Sequence, residues 1–581
     1  MSGAGVSRAA GYVAPPDARL AASLLLLRSP PDGRPGVEVL MLRRAERDGD
    51  MRSGVAVFPG GVLDARDRDA HVCCIGAEDA DVSAQLGLAE GGLDYLVAAV
   101  RESFEEVGVL LAQPAEGAQA SDFAALAPWR DRLQKGEASM AEFCRATGLC
   151  LDLREIVYFS HWLTPPGQPR RFDTRFFVAP APAGQVAQAD LGEALELMWL
   201  TPQAALEPQR GLKLLPVTRR TLQDLARFDS PAAALAEARS RKDIRITMPR
   251  MASSTKGRRI VLPDELPYAE IARLDPEGRG DVAAELLPGR AVRLSPRVLR
   301  ITAPNPGPMT GPGTNSYLVG EGGSWTVIDP GPVSEPHLQA LLAAAGEAGG
   351  RVERILVTHT HRDHSPGAVA LAAATGAPVW GRIAAHPQWQ DLSFAPDCEA
   401  QHGERLPLGP GTTLRIIHTP GHASNHLCYL LEEERTLFTG DHVMQGSTVV
   451  INPPDGDMAA YLQALRALLD EDLEWLAPGH GFLVAEPHAV LRALIQHRLR
   501  REAKVAAALQ ALSAAAIDDL LPLVYDDVPA ALHPVAQRSL LAHLLKLQAD
   551  GLAVRGDGDA AAPASSAAGQ TDAAGAWRWA G

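Results

Sequence analysis

The chain has 581 residues, a formal net charge of −15 and six cysteines. This length exceeds what one ordinary hydrophobic core can organise, so we expect two or more domains. The negative charge argues against nucleic-acid binding over most of the surface, no apolar stretch is long enough to span a bilayer, and the cysteines show no disulfide framework, which together predict a cytoplasmic protein without a membrane partner.

The first third of the chain alternates strand-like and helical patterns. Short apolar runs bounded by Gly, Pro and Ser predict strands. The run at residues 20–27 is short and leads directly into an arginine, so it is interpreted as a strand and not as a signal peptide. The predicted strands are Ala21–Leu27, Val37–Leu42, Val55–Phe58, Ile156–Leu163 and Phe172–Val178.

A predicted helix between these strands carries three glutamates. Apolar residues recur from position 93 to position 107 at the spacing of one helical face, and Gly108 then ends the helix. Glu102, Glu105 and Glu106 fall on the opposite side. Like charges at this spacing repel unless water or a cation neutralises them. The pattern therefore indicates either a solvated acidic face or a site for a hard cation.

The segment Arg101–Val109 resembles the second half of the Nudix box. The segments Phe58–Asp64 and Thr164–Phe177 are similar to the peroxisomal coenzyme A diphosphatase-like branch of Nudix hydrolases. The resemblance implies a Nudix α/β/α sandwich over residues 15–230. It also implies catalytic roles, and binding of Mg²⁺ or Mn²⁺ beside a diphosphate, for Glu102, Glu105 and Glu106.

Four further positions near this motif bear on its function. The resemblance implies that Arg101 orients a glutamate. Ser103 stands where the box usually has an aliphatic residue, and no glutamate is identifiable in the middle of the box. Arg170 and Arg171 are candidate phosphate contacts because guanidinium matches phosphate geometry, although a solvated turn explains them equally well.

The middle of the chain separates two α/β patterns. Residues 231–290 mix charged runs with Pro and Gly, and we interpret them as a linker with peripheral structure. A second α/β pattern follows over residues 291–484. Its predicted strands are Trp325–Ile328, Ile355–Thr358, Leu414–His418, Leu427–Leu431, Thr436–Thr439 and Leu473–Leu476.

Residues 485–581 are predicted to form a helical, winged-helix-like module. A helix at Pro534–Ala549 precedes two strand-like segments, Leu552–Arg555 and Trp577–Trp579, which we interpret as a hairpin. The stretch Gly556–Gly575 between them is rich in Ala, Gly and Ser and is expected to be a flexible loop. The basic strip His497–Arg501 suits either RNA binding or a solvated helix face.

Four potential metal ligands follow the strand Ile355–Thr358 within six residues. Residues two apart in an extended segment point the same way, so His359 and His361 can converge on one ion. The chain then turns and offers Asp363 and His364 to a second ion. Such a cluster rarely arises from packing alone, so we predict a metal site here.

Further histidines and one aspartate divide into candidate ligands and structural residues. His422, Asp441 and His480 each stand beside Gly or Pro, where a side chain can project into a cleft. Imidazole and carboxylate together suit two Zn²⁺ ions, with Fe or Mn as alternatives. The histidines expected to be structural are His386, His402, His418 and His426.

The candidate ligands resemble those of the metallo-β-lactamase superfamily, and Asp329 in Val327–Gly331 matches its structural first motif. The resemblance implies an αββα sandwich over residues 291–484. The segments Asn305–Pro308, Gly313–Tyr317 and Pro522–Val528 are similar to the lactamase-beta-like protein 2 branch, whose animal members look like single-strand endoribonucleases with a winged-helix-like tail. The resemblance implies that His359, His361 and His422 hold one ion, that Asp363, His364 and His480 hold the other, that Asp441 bridges them, and that Asp363 and Asp441 are catalytic.

The sequence therefore predicts a multidomain α/β and α+β protein that is a metal-dependent hydrolase. In its binuclear centre a bridging hydroxide would cleave an ester, thioester or phosphodiester. A Nudix diphosphatase centre would act on CoA derivatives, the same small-molecule class. The alternative is a single-strand RNA endonuclease whose Nudix module is regulatory or inactive, and salt-dependent RNA binding would separate the two hypotheses.

Overall fold

The computed structural model describes residues 12–44, 54–115, 123–188, 194–242, 244–556 and 575–581. Two compact units divide the chain: residues up to Glu265 with Asp275–Asp281, and Leu266–Leu274 with Val282–Gly581. The predicted linker, residues 231–290, is therefore shared between the units, and the domain boundaries themselves stay a prediction. Among the described residues, no helix has both the length and the apolar character needed to cross a membrane.

A mixed nine-stranded sheet forms the centre of the first unit. Its strand Ala18–Arg28 pairs in parallel with Arg171–Pro180 and antiparallel with Gly60–Val62. Residues 21–27 of this strand are all buried, because both faces of the sheet are covered. The other strands of the sheet are Glu38–Arg44, Val55–Val57, Val157–Leu163, Ala194–Leu200, Lys213–Leu214 and Ile246–Thr247.

Helices cover the two faces of this sheet and produce an α/β/α sandwich. Leu24 and Leu26 face one core and Leu25 and Leu27 face another, since successive strand residues point to opposite sides. The first core contains the helices Asp79–Leu86, Gly92–Val107, Ala127–Gln134 and Met140–Thr147, and the second contains Pro202–Leu206, Pro216–Leu225 and Pro231–Ser240.

The helix Gly92–Val107 carries the three predicted glutamates and is called the glutamate helix below. Gly108 ends it in the left-handed conformation with φ 68°, as the sequence predicts. A small sheet and a hairpin complete the first unit. Their strands are Cys74–Ile75, Ala112–Pro114 and Leu149–Asp152 in the sheet, and Arg250–Ser254 and Gly257–Val261 in the hairpin.

The second unit contains two stacked sheets with a core between them. Tyr317 and Ile328 of one sheet pack in the same core as Ile416 and Tyr429 of the other. The first sheet has the strands Ala291–Ser295, Val298–Thr302, Asn315–Glu321, Ser324–Ile328, Arg351–Leu356, Val379–Gly381 and Cys398–Glu399. The second has Arg405–Gly409, Thr412–His418, Leu427–Leu431, Thr436–Gly440, Trp475–Pro478 and Val484–Ala485.

Helices pack on the outer faces of both sheets, which gives the predicted αββα arrangement. Glu335–Glu347 and Gly367–Thr375 cover the first sheet. Met458–Ala467 and the long helix Pro487–Leu512 cover the second. The helix Tyr268–Leu274 also belongs to this unit.

The C-terminal module packs around its own small core. The helices Ile517–Val524 and His533–Ala549 surround the antiparallel strands Ala553–Arg555 and Trp577–Trp579, and Trp577 is buried at the centre. The predicted helix and hairpin are confirmed. The predicted flexible loop falls on residues 557–574, which lie outside the described residues.

Candidate metal centres

Three histidines meet at one edge of the sheets of the second unit. His359 and His361 follow the strand Arg351–Leu356, and His422 follows Thr412–His418. The Nδ1 atom of His361 lies 3.0 Å from Nε2 of His359 and 3.0 Å from Nε2 of His422. Ligand atoms of all three residues lie within 4.8 Å of one another, which is the convergence that one ion requires.

A second group lies beside the first. The Nε2 atoms of His364 and His480 are each 3.3 Å from Oδ2 of Asp363. Asp441 stands between the groups, with Oδ1 3.4 Å from His364 Nε2 and 3.3 Å from His480 Nε2. Its Oδ2 lies 3.8 Å from Nε2 of His422. The structure thus places all seven sequence-predicted ligands together, with one carboxylate facing both groups.

Hydrogen bonds behind the rings determine which nitrogen faces the centre. Nδ1 of His422 is 2.8 Å from the carbonyl oxygen of Val450, and Nδ1 of His480 is 3.2 Å from that of Gly313. A ring that donates its Nδ1–H to a carbonyl keeps the lone pair on Nε2. In both residues Nε2 is the atom that faces the other candidate ligands.

Asp329 orients the motif from behind and lies outside the groups of candidate ligands. The amide and the hydroxyl of Thr358 donate to its two carboxylate oxygens at 2.7 and 2.8 Å. Nδ1 of His364 is 2.8 Å from its Oδ2. Asp329 has φ 52°, a backbone conformation that residues other than glycine adopt rarely. Its carboxylate therefore joins the end of one strand to the start of the ligand motif.

Three buried polar atoms of this centre make no hydrogen bond, although ring nitrogens and carboxylate oxygens lie 3.3 to 3.4 Å apart. Nε2 of His364, Nε2 of His480 and Oδ1 of Asp441 are buried without a hydrogen bond. An unsatisfied buried polar group costs about 1–3 kcal/mol, so the side chains fit a bound cation. Gly479 leaves room for these atoms, because a Cβ there would lie 2.8 Å from both Asp441 Oδ1 and His364 Cε1.

The pKa shifts describe the same charge balance. Burial, with a contribution from His422, lowers the pKa of His361 to about 3, and burial holds the pKa of His359 well below its usual value. Both rings are therefore neutral and can offer lone pairs. Burial also lowers the pKa of His480, but Asp441 and Asp363 outweigh it and raise that pKa to about 10. A divalent cation bound by these carboxylates would displace the proton that they hold on His480.

The histidines expected to be structural lie outside these groups of described residues. His426 is fully buried, stacks on His359 with ring centroids 5.0 Å apart, and its Nδ1 is 2.9 Å from the hydroxyl of Thr419. Nδ1 of His402 accepts the backbone N–H of His418 at 3.2 Å. The pKa of His418 is lowered, and burial is the largest of the causes.

The glutamate helix forms the second candidate centre. Nη1 of Arg101 donates to Glu102 at 2.7 Å and to Glu105 at 3.4 Å. The backbone N–H of Gly60 donates to Glu106 at 2.9 Å. A Cβ at Gly61 would lie 2.3 Å from the Glu102 carboxyl group, so a side chain there would displace that carboxyl group from its position. Arg101 thus holds two glutamates, as the sequence predicts, while a backbone amide holds the third.

Asp67 is a residue of this centre that the sequence analysis missed. Its two carboxylate oxygens accept from Nε and Nη2 of Arg101 at 2.8 and 3.1 Å, and it is only 2% exposed. It therefore supplies the acidic partner that could not be identified in the middle of the box. The signal was Asp64 three residues earlier, since the two aspartates form a capping box at the start of the helical turn Ala65–Cys73.

The charges around Arg101 leave an excess of carboxylates. Asp67, Glu102 and Glu105 share one guanidinium. Burial raises the pKa of Glu105 to about 7, against the lowering effect of Arg101. A cavity of about 170 Å³ lies beside Asp67 and Glu105. Oxygen ligands, excess negative charge and adjacent space fit Mg²⁺ or Mn²⁺. Among the described residues, however, these carboxylates are not drawn together within 4.8 Å as the histidine groups are.

Three of the candidate arginines differ from their predicted roles, whereas Arg170 and Arg500 are exposed. Arg171 is buried and donates to Asp17 at 2.7 Å and to the Thr164 carbonyl at 3.0 Å, so its guanidinium is already paired and not offered to phosphate. In the basic strip, Arg498 and Arg501 are 3% and 6% exposed. They are therefore neither a solvated face nor a contact surface for RNA.

Three protein-family models match the chain. They are the Metallo-beta-lactamase superfamily over residues 309–480, the NUDT19 Nudix domain over residues 79–216 and the Beta-lactamase associated winged helix domain over residues 516–561. These matches confirm the resemblances that the sequence motifs indicate, including the winged-helix tail.

Two curated relatives each match the chain over less than half of its length, and a solved structure covers about half. The Beta-lactamase-like protein 2 homolog of Drosophila melanogaster is 31% identical over 278 residues, which are 45% of this chain and 90% of that protein. The Atrochrysone carboxyl ACP thioesterase of Aspergillus chevalieri is 35% identical over 227 residues, 38% of this chain and 67% of that protein. A solved Beta-lactamase domain protein from Burkholderia ambifaria aligns with a TM-score of 0.43 at 22% identity, covering 51% of this chain and 96% of that one.

Proposed function

The chain is a hydrolase that belongs to the metallo-β-lactamase superfamily and also carries a Nudix domain, and we propose that it combines two metal-dependent centres acting on CoA-like thioesters. The observation that carries this proposal is the position of Asp441. Its two oxygens face two separate groups of candidate ligands, with the nearest nitrogens 3.3 to 3.8 Å away. One carboxylate shared in this way is typical of a site for two ions.

Some residues of this centre would hold the ions, and others orient the histidine rings. His359, His361 and His422 would hold one ion, and Asp363, His364 and His480 would hold the other, with Asp441 common to both. Asp329 and the carbonyls of Val450 and Gly313 orient the rings. Two bound ions would supply a strong nucleophile at neutral pH and polarise a substrate carbonyl.

The reaction we propose for this centre is thioester hydrolysis. The oxygen of water joins the acyl carbon, the C–S bond breaks, and the products are a carboxylic acid and a free thiol. The thioesterase named among the relatives supports this substrate class. The RNA alternative is weaker, because the arginines Arg498 and Arg501 of its basic strip are buried and the chain carries a net charge of −15.

The Nudix centre is proposed to cleave the diphosphate of a CoA-like substrate. Glu102, Glu105 and Glu106 would bind Mg²⁺ or Mn²⁺, and Arg101 with Asp67 would hold the glutamates in place. Three carboxylates share the single guanidinium of Arg101, and this excess of negative charge supports a bound cation beside the glutamate helix. A thioesterase and a diphosphatase on one chain would then meet the same class of molecule.

The test is a hydrolysis panel on the metal-loaded full chain. Acyl-CoA, CoA and single-stranded RNA are compared in the parent, in His361→Ala and in Glu105→Gln. We expect His361→Ala to lose thioester cleavage and to keep CoA cleavage, and Glu105→Gln to show the reverse. His386→Ala and Glu90→Gln, which change exposed residues outside both centres, serve as matched controls.

Each other outcome removes a defined part of the proposal. Cleavage of RNA alone, abolished by His361→Ala, would replace the thioester proposal with a nuclease. Thioester cleavage without any CoA cleavage in the parent would leave the Nudix module as a binding or regulatory domain.

A further inference from the structure

A strained tryptophan lies beside the histidine centre. Trp389 has φ 70°, a conformation in which a bulky residue is a genuine outlier. Such strain persists only where the surroundings impose it, and it is concentrated at ligand-binding and active sites. The indole is nevertheless 45% exposed, so it is not held there by burial in a core.

The surroundings that impose this conformation are residues of the ligand motif itself. The residue after Trp389, Gln390, forms a β-bridge with His361. The side-chain oxygen of Gln390 accepts from the Thr360 hydroxyl at 2.6 Å, and the Asp391 amide donates to the Thr360 carbonyl at 2.6 Å. The backbone that carries Trp389 is therefore joined to the segment of a candidate metal ligand, while its indole stays exposed.

A cation from the C-terminal module reaches the same indole. The guanidinium carbon of Arg538 lies 5.1 Å from the centroid of the Trp389 ring. Within the described part of the C-terminal module, the basic residues that form ion pairs with carboxylates are Arg501, Lys504, His543 and Lys546, and Arg538 is not among them. Its charge is therefore available to a ligand. The next residue, Ser539, accepts the Ile451 amide at 3.3 Å.

This second attachment places Arg538 on the side of His422. The residue before Ile451, Val450, accepts from His422 Nδ1 at 2.8 Å. The ring centroids of His361 and His422 are 4.7 Å apart. The neighbours of Trp389 and Arg538 are thus joined to two segments that carry or contact adjacent candidate ligands: Gln390 to His361, and Ser539 to Ile451, next to the Val450 carbonyl that accepts from His422.

We propose that Trp389 and Arg538 form a substrate subsite for a planar ring that carries an anionic group. The indole offers a stacking surface, and the guanidinium offers charge and a second planar face. The inference rests on the thioesterase function proposed above and names the part of the substrate that is recognised. Two sources share this chemistry: the adenine nucleotide of CoA, and an aromatic acid in the acyl group.

Two pairs of thioesters separate these sources. Acetyl-CoA and S-acetylpantetheine differ in the adenine nucleotide, and carboxynaphthoyl and octanoyl pantetheine differ in the acyl ring. We expect the metal-loaded full chain to prefer the ring-bearing member of one pair by about tenfold in kcat/KM, the size of one stacking contact. Trp389→Leu and Arg538→Gln should remove most of that preference, while Trp389→Phe should keep part of it.

The control variant is Trp579→Leu, which changes a partly exposed tryptophan of the C-terminal hairpin. It should leave both ratios unchanged. If Trp389→Leu also leaves both ratios unchanged, the subsite is disproved even though the thioesterase stands. The pair whose ratio changes identifies the source of the ring.

Binding without turnover separates this inference from the proposed function. Adenosine 3′,5′-diphosphate and naphthalene-2,6-dicarboxylate are titrated calorimetrically into the same proteins. If no thioester is cleaved but one ligand binds about tenfold more weakly to Trp389→Leu, the thioesterase proposal fails and the subsite remains. If Trp389→Leu weakens only a single-stranded oligoribonucleotide, the surface is a nucleic-acid platform and the proposal is overturned.

Discussion

The two candidate metal centres hold their ligand side chains in place in different ways. In the histidine centre, the Nε2 atoms of His364 and His480 are buried without a hydrogen bond. On the glutamate helix, Glu102 and Glu105 are instead held by Arg101. Buried imidazoles such as those of His359 and His361 stay neutral and can be packed together, whereas carboxylates in a small volume need a counter-charge. The metallo-β-lactamase fold thus brings its ligand atoms together, whereas the Nudix fold pairs its carboxylates with an arginine.

This difference predicts different responses to the loss of one residue. A converged centre depends on the shared ligand and on the groups that orient the rings. The centre on the glutamate helix depends on Arg101. Without Arg101 its carboxylates would repel one another, and an added cation could relieve that repulsion. Four substitutions test the comparison.

The largest effect is expected for Asp441→Ala. Its carboxylate faces both ligand groups, so its removal should lower the metal content from about two ions per chain to below one and abolish thioester cleavage. Metal analysis by mass spectrometry measures the content directly. Asp472→Ala, which removes an exposed aspartate, is the control and should keep both ions. Retention of two ions by Asp441→Ala would show that the carboxylate is not shared.

Arg101→Met should produce the next largest effect, in the other centre. Asp67 would be left as a buried unpaired carboxylate, which costs about 3–5 kcal/mol. We therefore expect a lower melting temperature for the first unit and a larger rise with millimolar Mg²⁺ than the parent shows. A melting temperature that is low but indifferent to Mg²⁺ would argue against a cation site on the glutamate helix.

A smaller effect is expected from a residue that acts on the histidine centre through the backbone. Arg498 donates to the carbonyl of Val449 at 2.5 Å, next to the Val450 carbonyl that accepts from His422. Loss of such an outer contact typically lowers metal affinity by about 10- to 100-fold. Arg498→Met should therefore weaken one of the two ions, measured by titration with a chelating dye, and Arg498→Lys should partly restore it.

Arg501→Met is the matched control for Arg498. It lies on the same helix, is equally buried, and donates to a carbonyl within the C-terminal module, that of Val524. It should lower stability without changing the affinity for either ion. Equal losses of affinity in both variants would show that Arg498 acts through general stability and not through His422.

The sequence predicted the local motifs, and the family resemblance added the distant ligands His422, Asp441 and His480. It missed contacts that neither a motif nor the resemblance connects. The ligands His359–His364 and the glutamates Glu102–Glu106 each occupy one local motif. Spacing was enough to predict the first as a metal site, and the Nudix resemblance implied the second. Asp67 lies 34 residues before its partner Arg101, and no spacing rule connects them. The burial of Arg498 involves a contact with Val449, 49 residues earlier in the chain, and the basic sequence around Arg498 contains no sign of that contact.

Ser103 gives the smallest expected effect and shows why one departure from the Nudix pattern is tolerated. The residue is fully buried, and its hydroxyl donates to the Val109 carbonyl at 2.9 Å, beyond the end of the glutamate helix. An aliphatic side chain would fill the space but leave that carbonyl without this donor. Because one such hydrogen bond contributes about 1 kcal/mol, Ser103→Ala should raise amide hydrogen exchange in the last turn of the glutamate helix roughly fivefold. Mass spectrometry of the peptide containing residues 100–109 measures this change, while exchange around His359 should stay the same. Unchanged exchange at both places would mean that packing, and not the hydroxyl, holds the end of the helix that presents the glutamates.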